Sequence, residues 1–271
     1  MKKYSLLFLT LFLVFACDNS DKEARVYLER AKTHYENREY STAKTALDSI
    51  KILYPKALEA QREALELHRR VDLAEQERNL AYCDSMLTVR TGESEKMKPN
   101  YLYEKDPEYD EYGKYMDKQQ KLENNLQKSY LRTWTDDLGR LYMASVYYGS
   151  GALKHDRIKL VAPDGTSCET LPVPYDGALN YRFTDLGMTT EVVTYSQHSD
   201  NGAIMFIYGN KDHSLKAEYS GGRKYVLNLS KADKNALAKT VELSIVLSDI
   251  ESLKEEMEKA NKRIEYLQAK L

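Results

Sequence analysis

Residues 243–271, LSIVLSDIESLKEEMEKANKRIEYLQAKL, carry the most regular pattern in the chain. Apolar residues recur there at alternating intervals of three and four, the spacing of a coiled-coil helix. We call these positions the seam: Leu243, Val246, Ile250, Leu253, Met257, Ala260, Ile264 and Leu267. Ser230-Lys231-Ala232-Asp233 just before them has the form of a capping box. The pattern predicts one helix over 230–271, roughly 60 Å long at 1.5 Å per residue.

A helix of this length needs a helical partner along its seam. The segment from Lys56 to about Thr88 contains no Pro or Gly and predicts a second long helix with a narrow apolar stripe. The stripe consists of Ala60, Ala64, Leu67, Val71, Ala74 and Ala81. We expect the two helices to pack antiparallel within one chain. The alternative partner is a second copy, which would make the protein a homo-oligomer.

Residues 129–229 change to a period of two, and turn signals recur along them. These signals are Asp137-Leu138-Gly139, Pro163-Asp164-Gly165, Asp176-Gly177, Asn201-Gly202 and Gly221-Gly222. The pattern predicts an antiparallel β-sandwich-like domain of about eight or nine strands. Ile204–Tyr208 (IMFIY) is predicted as a buried central strand, and Trp134 as a core residue. Together the segments predict an α+β fold class.

The helical region, residues 24–128, is interrupted by a segment rich in tyrosine. Residues 92–113 contain two prolines and predict a loop, and Tyr115–Gln127 predicts a short helix with Leu122 and Leu126 inward. Five rings lie in or next to the loop: Tyr101, Tyr103, Tyr109, Tyr112 and Tyr115. Such rings either form an exposed stacking platform for a sugar or peptide, or pin the loop onto the helices.

The N-terminus reads as a targeting segment. A short basic start at Lys2-Lys3 precedes an apolar run, Leu6–Ala16, that is too short for a permanent membrane span. The run ends Val14-Phe15-Ala16-Cys17, which resembles the lipobox of bacterial lipoproteins. The resemblance implies a signal peptide at 1–16, acylation of Cys17, a tether at 17–23 and a membrane anchor. The acids that follow resemble export tags of surface lipoproteins in Bacteroidetes-like bacteria.

Residues 24–55 resemble most of one tetratricopeptide repeat. Tyr27, Ala31 and Tyr35 fall on the first helix of that motif, Ala43 and Leu47 on the second. Tyr40 opens the second helix and Pro55 closes the repeat. The resemblance implies a helical hairpin closely packed at its alanines. No second copy follows, and a peptide-binding array needs about three repeats, so we expect a lone hairpin.

Charge and cysteine content exclude some classes of function. Removal of residues 1–16 takes away two lysines and no acid, so 40 − 2 = 38 bases remain against 42 acids, a net charge of about −4. Such a balance lacks the clustered cations of a nucleic-acid-binding protein. Cys83 and Cys168 have no metal or redox spacing, and we expect two free thiols, with a disulfide as the alternative.

No catalytic motif or cofactor-binding motif occurs in the sequence, and we expect no enzyme, cofactor or metal. Three histidines lie near aspartates in the β region, at His155-Asp156, His198-Ser199-Asp200 and Asp212-His213. If these segments meet at one end of the domain, they can bind a metal or hold an acid-base pair, and a metal-dependent hydrolase is therefore a third hypothesis. The leading hypothesis is a lipid-anchored envelope protein, on the outer membrane with its face undetermined, that binds a protein partner through its β domain and coiled coil. The second hypothesis is a surface glycan-binding lipoprotein.

Overall fold

The computed structural model describes the backbone of residues 15–196 and 198–271, and the side chains from residue 20 onward. The described part contains long helices at both ends and antiparallel sheets between them, so the α+β class is confirmed. The helices are α1 (Phe15–Glu36), α2 (Tyr40–Leu53), α3 (Leu58–Met97), α4 (Ala203–Gly209) and α5 (Lys231–Gln268). The first strands are β1 (Tyr101–Glu104), β2 (Lys114–Asp117), β3 (Tyr130–Asp136), β4 (Leu141–Ser150) and β5 (Arg157–Val161). The remaining strands are β6 (Ser167–Glu169), β7 (Asn180–Asp185), β8 (Met188–Tyr195), β9 (Lys216–Ser220) and β10 (Tyr225–Asn228).

The chain divides into two compact units, and the division falls within α3 and α5. One unit comprises residues up to Met86 together with Leu253–Leu271, and the other comprises Leu87–Ser252. The residue ranges predicted for the helical and β regions therefore differ from the units of the structure.

The first unit is built on the predicted helical hairpin. Ala31 of α1 and Ala43 of α2 are fully buried, so the helices approach closely at the small residues. The core continues into α3 through Ala60 and Val71. The expectation of an extended tether at 17–23 is wrong, because α1 already includes these residues. Asp21 supports the early helix: its carboxylate pairs with Arg25 at 2.9 Å.

The second unit contains two antiparallel sheets that share one core. The six-stranded sheet has the order β1-β2-β3-β4-β8-β7, and the four-stranded sheet has the order β10-β9-β5-β6. Met143 and Val193 from the first sheet pack with Ile158 and Tyr219 from the second, and all four are fully buried. The first half of α5 adds Leu237 to the same cluster. The predicted sandwich-like packing therefore describes this unit well.

Helix α5 begins with the predicted cap and packs closely on the β3–β4 turn. Ser230 Oγ accepts a hydrogen bond from the Asp233 N–H at 3.0 Å, which satisfies one of the free donors of the first turn. Further along, Ser244 Oγ donates to the Gly139 carbonyl at 2.6 Å. Gly139 has a φ of +78°, and a Cβ there would lie 2.4 Å from the Ser248 backbone nitrogen. Only glycine fits this turn.

The prediction of a buried strand at Ile204–Tyr208 is wrong, because the segment forms α4. Five consecutive apolar residues suit a buried strand or a buried helix equally, and their periodicity does not separate the two. The preceding turn decides for the helix: Gly202 has a φ of +84°, and the Asp200 carboxylate accepts from the Ile204 N–H at 2.9 Å. Ile204 and Ile207 then enter the core from one helical face.

The prediction of a loop at 92–113 followed by a helix at Tyr115–Gln127 is also wrong. Helix α3 passes Gly92 and ends only before Pro99, and β1 and β2 then form a hairpin on the edge of the six-stranded sheet. After β2 the chain makes short 3-10 turns at 118–120 and 122–124. The buried Gln120 amide holds them by donating to the Leu131 carbonyl and accepting from the Thr133 N–H.

Candidate ligand-binding groove

The six-stranded sheet buries one face in the core and presents the other as a groove. Residues alternate between the two faces along each strand. On β4, Met143 and Ser145 point into the core, whereas Ala144, Val146 and Tyr148 line the groove. We call this feature the outer groove. It has a volume of about 760 Å³, within the range of about 300–1,000 Å³ that is usual for ligand sites.

Aromatic and aliphatic side chains form most of the floor of the outer groove. The strand register places them in rows: Tyr130 lies opposite Val146, which lies opposite Val192 on the next strand. Trp134 lies near one end of the groove and Met188 near the other. The floor is apolar on a face that an antiparallel sheet commonly exposes to water.

Two segments with exposed apolar side chains form the rim. Leu122 and Leu126, in the segment after β2, are 56% and 62% exposed. Phe183 and Leu186, in the β7–β8 hairpin, are 54% and 95% exposed. A concentration of large apolar side chains in contact with water marks an interaction site more often than a neutral surface.

Backbone geometry holds both rim segments in place. The Asn125 amide donates to the carbonyls of Gln119 and Lys121, at 3.0 and 2.8 Å, and so closes the turns of one rim. On the other rim the hairpin turn consists of Leu186 and Gly187, which have φ values of +47° and +79°. Two-residue hairpin turns of this kind favour Asn-Gly, and leucine adopts a positive φ only with strain.

Charged groups are concentrated on the β2–β3 side of the groove. The Arg132 guanidinium lies over the Trp134 ring, 5.9 Å from its centroid, and 3.8 Å from the exposed Glu104 carboxylate. Lys114 pairs with Asp110 at 3.3 Å. Lys128 is exposed. Asp185 lies on the opposite side, in the β7–β8 hairpin.

The only tryptophan of the chain, Trp134, faces this groove. It was predicted as a core residue, but its ring is half-buried and lines the groove floor. The ring stacks on Tyr142 with the centroids 5.5 Å apart and the planes 6° from parallel. Two protein groups, Tyr142 and Arg132, therefore already engage the ring, which leaves it poorly suited to stack on a sugar.

A buried polar network lies on the core side of the same sheet. Ser145 Oγ lies 2.9 Å from His155 Nε2, and His155 Nδ1 lies 2.9 Å from Glu191 Oε2. This order of hydroxyl, imidazole and carboxylate is that of a hydrolytic triad. However, all three residues are at most 2% exposed, and Ser145 Oγ also lies 3.2 Å from the Tyr195 hydroxyl. The hydroxyl is closed to substrates, so we interpret the network as structural.

The Glu191 carboxylate is the charged centre of this network. Its oxygens accept from the backbone N–H groups of Lys154 and His155 as well as from the His155 ring. Burial by itself raises the pKa of Glu191, but these hydrogen bonds outweigh burial and hold the pKa below its ordinary value. The network joins β4 and β8 to the connection between β4 and β5.

The structure places the five predicted tyrosines in different surroundings. Tyr101 and Tyr115 are buried, and the Tyr101 hydroxyl donates to the Lys239 carbonyl at 2.7 Å. Tyr103 is half-exposed and packs on Tyr115. Tyr112 lies beneath the Arg140 guanidinium, and Tyr109 is 80% exposed. Because two rings are buried, the five do not form a common exposed platform.

The seam of α5 lies on the packed side of that helix in each unit. In the second unit Leu243 and Val246 are buried and Ile250 is half-buried. In the first unit Ala260 and Leu267 are buried, and Leu253, Met257 and Ile264 are half-buried. Contacts to α3 accompany the seam: Arg263 pairs with Asp72 at 2.9 Å, and Asp249 pairs with Arg90 at 3.0 Å.

The three predicted His-Asp segments serve different purposes. His155 belongs to the buried network, Asp200 caps α4, and His198 and His213 are exposed. Among the described residues, no group of three or more His, Cys, Asp or Glu side chains is placed to hold a metal ion. Cys83 and Cys168 are both free and half-buried.

Residues 1–14 of the predicted signal peptide and the Cys17 side chain lie outside the part of the chain that the structure describes. Within the described part of the chain, no helix combines the length and apolar character needed to cross a membrane. Comparison with protein-family models, with curated proteins and with solved structures gives no match for this chain.

Sequence reasoning missed the outer groove. A usable signal was present in β3 and β4, YLRTWTD and LYMASVYYGS, where apolar residues occupy both alternating sets. A strand with only one buried face alternates apolar with polar residues. Apolar residues on the second face indicate that this face also packs against something, either another part of the chain or a ligand.

Proposed function

We propose that this protein is a lipid-anchored, non-enzymatic binding protein of the bacterial cell envelope that holds its ligand in the outer groove. The observation that carries the proposal is the groove itself: about 760 Å³, with an apolar floor and four exposed apolar side chains at its rim. Burial of that rim by a ligand would be favourable by about 25 cal/mol for each Å² removed from water.

The anchor is proposed from the N-terminal sequence. The basic start, the apolar run and the final Ala16-Cys17 support acylation of Cys17 and attachment to the outer membrane. Each buried CH₂ contributes about 0.8 kcal/mol, so several acyl chains hold a protein on a membrane durably.

The anchor is tested by metabolic labelling with a radioactive fatty acid in a bacterial host. We expect the wild-type chain to incorporate label and to sediment with membranes. A Cys17→Ser variant should do neither, while a matched Cys83→Ser variant should behave as wild type. Label that persists in Cys17→Ser would contradict the anchor.

The binding end is proposed to be the β domain rather than the coiled coil. In both units the seam residues of α5 are buried or half-buried within the chain, which supports α3 as their partner. A seam already covered in this way has little apolar surface to offer to a second copy or to a partner helix. We expect the mature protein to be a monomer in light scattering.

Occupancy of the groove is tested with a groove-blocking variant. Thr190 lines the groove, and Thr190→Arg would fill it with a long charged side chain. The matched control is Val226→Arg, on the other sheet, where Val226 is 50% exposed. A panel of oligosaccharides, unstructured peptides and acyl compounds is screened for a rise in Tm. The proposal expects at least one class to stabilise wild type and Val226→Arg but not Thr190→Arg.

Glycan binding is the second candidate function. Tyr148, Tyr181 and Phe183 place three further aromatic rings along the groove, and aromatic rings can stack on sugars. An oligosaccharide that raises Tm in wild type, and loses this effect in Thr190→Arg, would favour this function over its alternatives.

A further inference from the structure

We propose that the outer groove holds a single acyl chain that carries an anionic head group, with the head near Arg132 and the methyl end near Leu186. This inference rests on the proposed function, because it names the ligand class of the same groove. Three independent features of the groove lead to it: the chemistry of its rim, its length, and the distribution of charge along it.

The rim suits an aliphatic chain. Leu122, Leu126 and Leu186 offer flexible aliphatic surface, and Leu186 is 95% exposed at the tip of its hairpin. Leucine there also adopts a positive φ of +47°, which asparagine or glycine would adopt more readily. Leu186 thus has a strained backbone and a side chain in contact with water, and it places an apolar group at the rim of the groove.

The length of the groove fits an extended chain. Arg132 lies opposite Ala144 on β4, and Met188 lies opposite Ser150 on the same strand. Six residues along a strand correspond to about 20 Å at 3.3 Å per residue. One leaflet of acyl chains occupies about 15 Å, half of the hydrocarbon core of a bilayer. The floor between these rows therefore accommodates a chain of the usual lipid length.

Charge gives the groove a direction. Lys114 and Arg132 lie at the Trp134 end of the groove, whereas the hairpin end carries Asp185. Lys128 lies nearer the hairpin end, because the adjacent Ser129 bonds to the Tyr148 backbone of β4. Glu104 and Asp110 pair with two of these cations, at 3.8 and 3.3 Å, but exposed pairs of this kind are weak and a bound anion can compete with them. An anionic head that displaces these two pairs is attracted to Lys114 and Arg132 and repelled from Asp185.

Other occupants fit this chemistry less well. A sugar needs a free aromatic face, and the Trp134 ring already contacts Tyr142 and Arg132, so a sugar would have to stack on Tyr148, Tyr181 or Phe183. A peptide that pairs with a sheet needs an exposed strand edge, whereas the groove lies on the face of the sheet. Both remain as outcomes of the test.

The test uses Trp134 as the reporter, since it is the only tryptophan in the chain. The protein is the chain from residue 17 with Cys17→Ser, so that its own acylation does not interfere. Tetradecyl phosphate is titrated below its micelle-forming concentration, beside an uncharged tetradecyl ether, maltoheptaose and an unstructured peptide. We expect a saturable change in Trp134 fluorescence with tetradecyl phosphate, and binding about tenfold weaker for the uncharged compound.

Two variants make the test specific. Leu186→Asn removes the most exposed aliphatic side chain of the rim and suits the positive φ, so it should fold well and bind tetradecyl phosphate about fivefold more weakly. Leu171→Asn is the matched control, because Leu171 is 38% exposed and follows β6 of the four-stranded sheet, and it should bind as wild type. Equal binding of the charged and uncharged compounds, or full binding by Leu186→Asn, would overturn the inference.

The remaining arms separate this inference from the proposed function. A response to maltoheptaose or to the peptide, without one to tetradecyl phosphate, would overturn the acyl ligand and keep the groove as a binding site. No response in any arm, by fluorescence or by Tm, would overturn both.

Discussion

Replacement of Glu191 by glutamine should destabilise the β domain strongly without changing its shape. Glu191 is 2% exposed and accepts three hydrogen bonds, from the Lys154 N–H at 2.7 Å, the His155 N–H at 3.1 Å and His155 Nδ1 at 2.9 Å. Glutamine keeps one acceptor oxygen and places an NH₂ group against at least one of these donors. The network cannot be satisfied by rotation of the amide.

The magnitude follows from the donors left unpaired. One buried backbone N–H without a partner costs about 1–3 kcal/mol. The bonds that remain lose their charge assistance, which weakens them to roughly half. We therefore expect Glu191→Gln to lower the free energy of unfolding by about 3 kcal/mol, a large share of the 5–15 kcal/mol of a typical domain.

The assay is urea denaturation followed by the fluorescence of Trp134, which lies in the same unit. Glu169→Gln serves as the control, since Glu169 is exposed on β6, and it should leave the midpoint nearly unchanged. The two-state slope should be the same in both variants. A loss below about 1 kcal/mol in Glu191→Gln would refute the reasoning, because the unpaired donor alone accounts for that much.

The pH dependence of stability provides a second readout of Glu191. The folded pKa of Glu191 lies below its ordinary value of about 4.3, so the folded state favours the charged form. Its contribution to stability is therefore fully present above about pH 5 and is lost as the pH falls through the folded pKa. The difference between wild type and Glu191→Gln should shrink below about pH 4. A difference that stays constant from pH 7 to pH 3 would contradict the assignment.

Three further substitutions test the packing. Gly139→Ala should lower the free energy of unfolding by about 3 kcal/mol, because a Cβ at this φ of +78° would lie 2.4 Å from the α5 backbone. The control Gly165→Ala, with a φ of +86° and open space around it, should cost about 1 kcal/mol. Equal losses of stability in thermal denaturation would refute the contact between Gly139 and α5. Ile250→Asp should cost about 2 kcal/mol by placing a charge at the half-buried seam, and an unchanged Tm would refute that packing. Leu186→Asn should stabilise the chain by about 0.5–1 kcal/mol through relief of strain in the hairpin turn, whereas a lower urea midpoint would show that the leucine is held by the fold.

The long helices of the fold could be predicted from the sequence. Helix α5 shows an unbroken apolar spacing and a capping sequence, and local sequence alone specifies both. The hairpin of α1 and α2 carries alanines where the two helices touch. Such signals need no knowledge of distant contacts, so they survive in a single sequence.

Segments whose structure depends on distant contacts were predicted wrongly. IMFIY became a helix because Asp200 caps it and the core accepts one helical face. Residues 118–124 became 3-10 turns because the Gln120 side chain bonds to the backbone of β3. In both cases a tertiary contact overrides the local preference, and no periodicity reveals that contact.

The outer groove depends on strand register, so the apolar pattern of β3 and β4 could indicate a second covered face but not the groove itself. Tyr130, Val146, Val192 and Tyr181 form one row across four strands only because of how the strands pair. The sequence shows apolar residues on both sides of β3 and β4, whereas one side of β7 carries Asn180, Arg182 and Thr184. Only the paired sheet shows which residues share a row and that this row is open to solvent.

The most direct test of the acyl-chain assignment is the orientation of the bound ligand. Fatty acids of equal length are labelled with bromine either near the carboxylate or near the methyl end, and the quenching of Trp134 is compared at saturation. Because Trp134 lies next to Arg132, and Leu186 marks the other end of the groove, the bromine near the carboxylate should quench much more strongly. Stronger quenching by the bromine near the methyl end, or no quenching by either compound, would contradict the account.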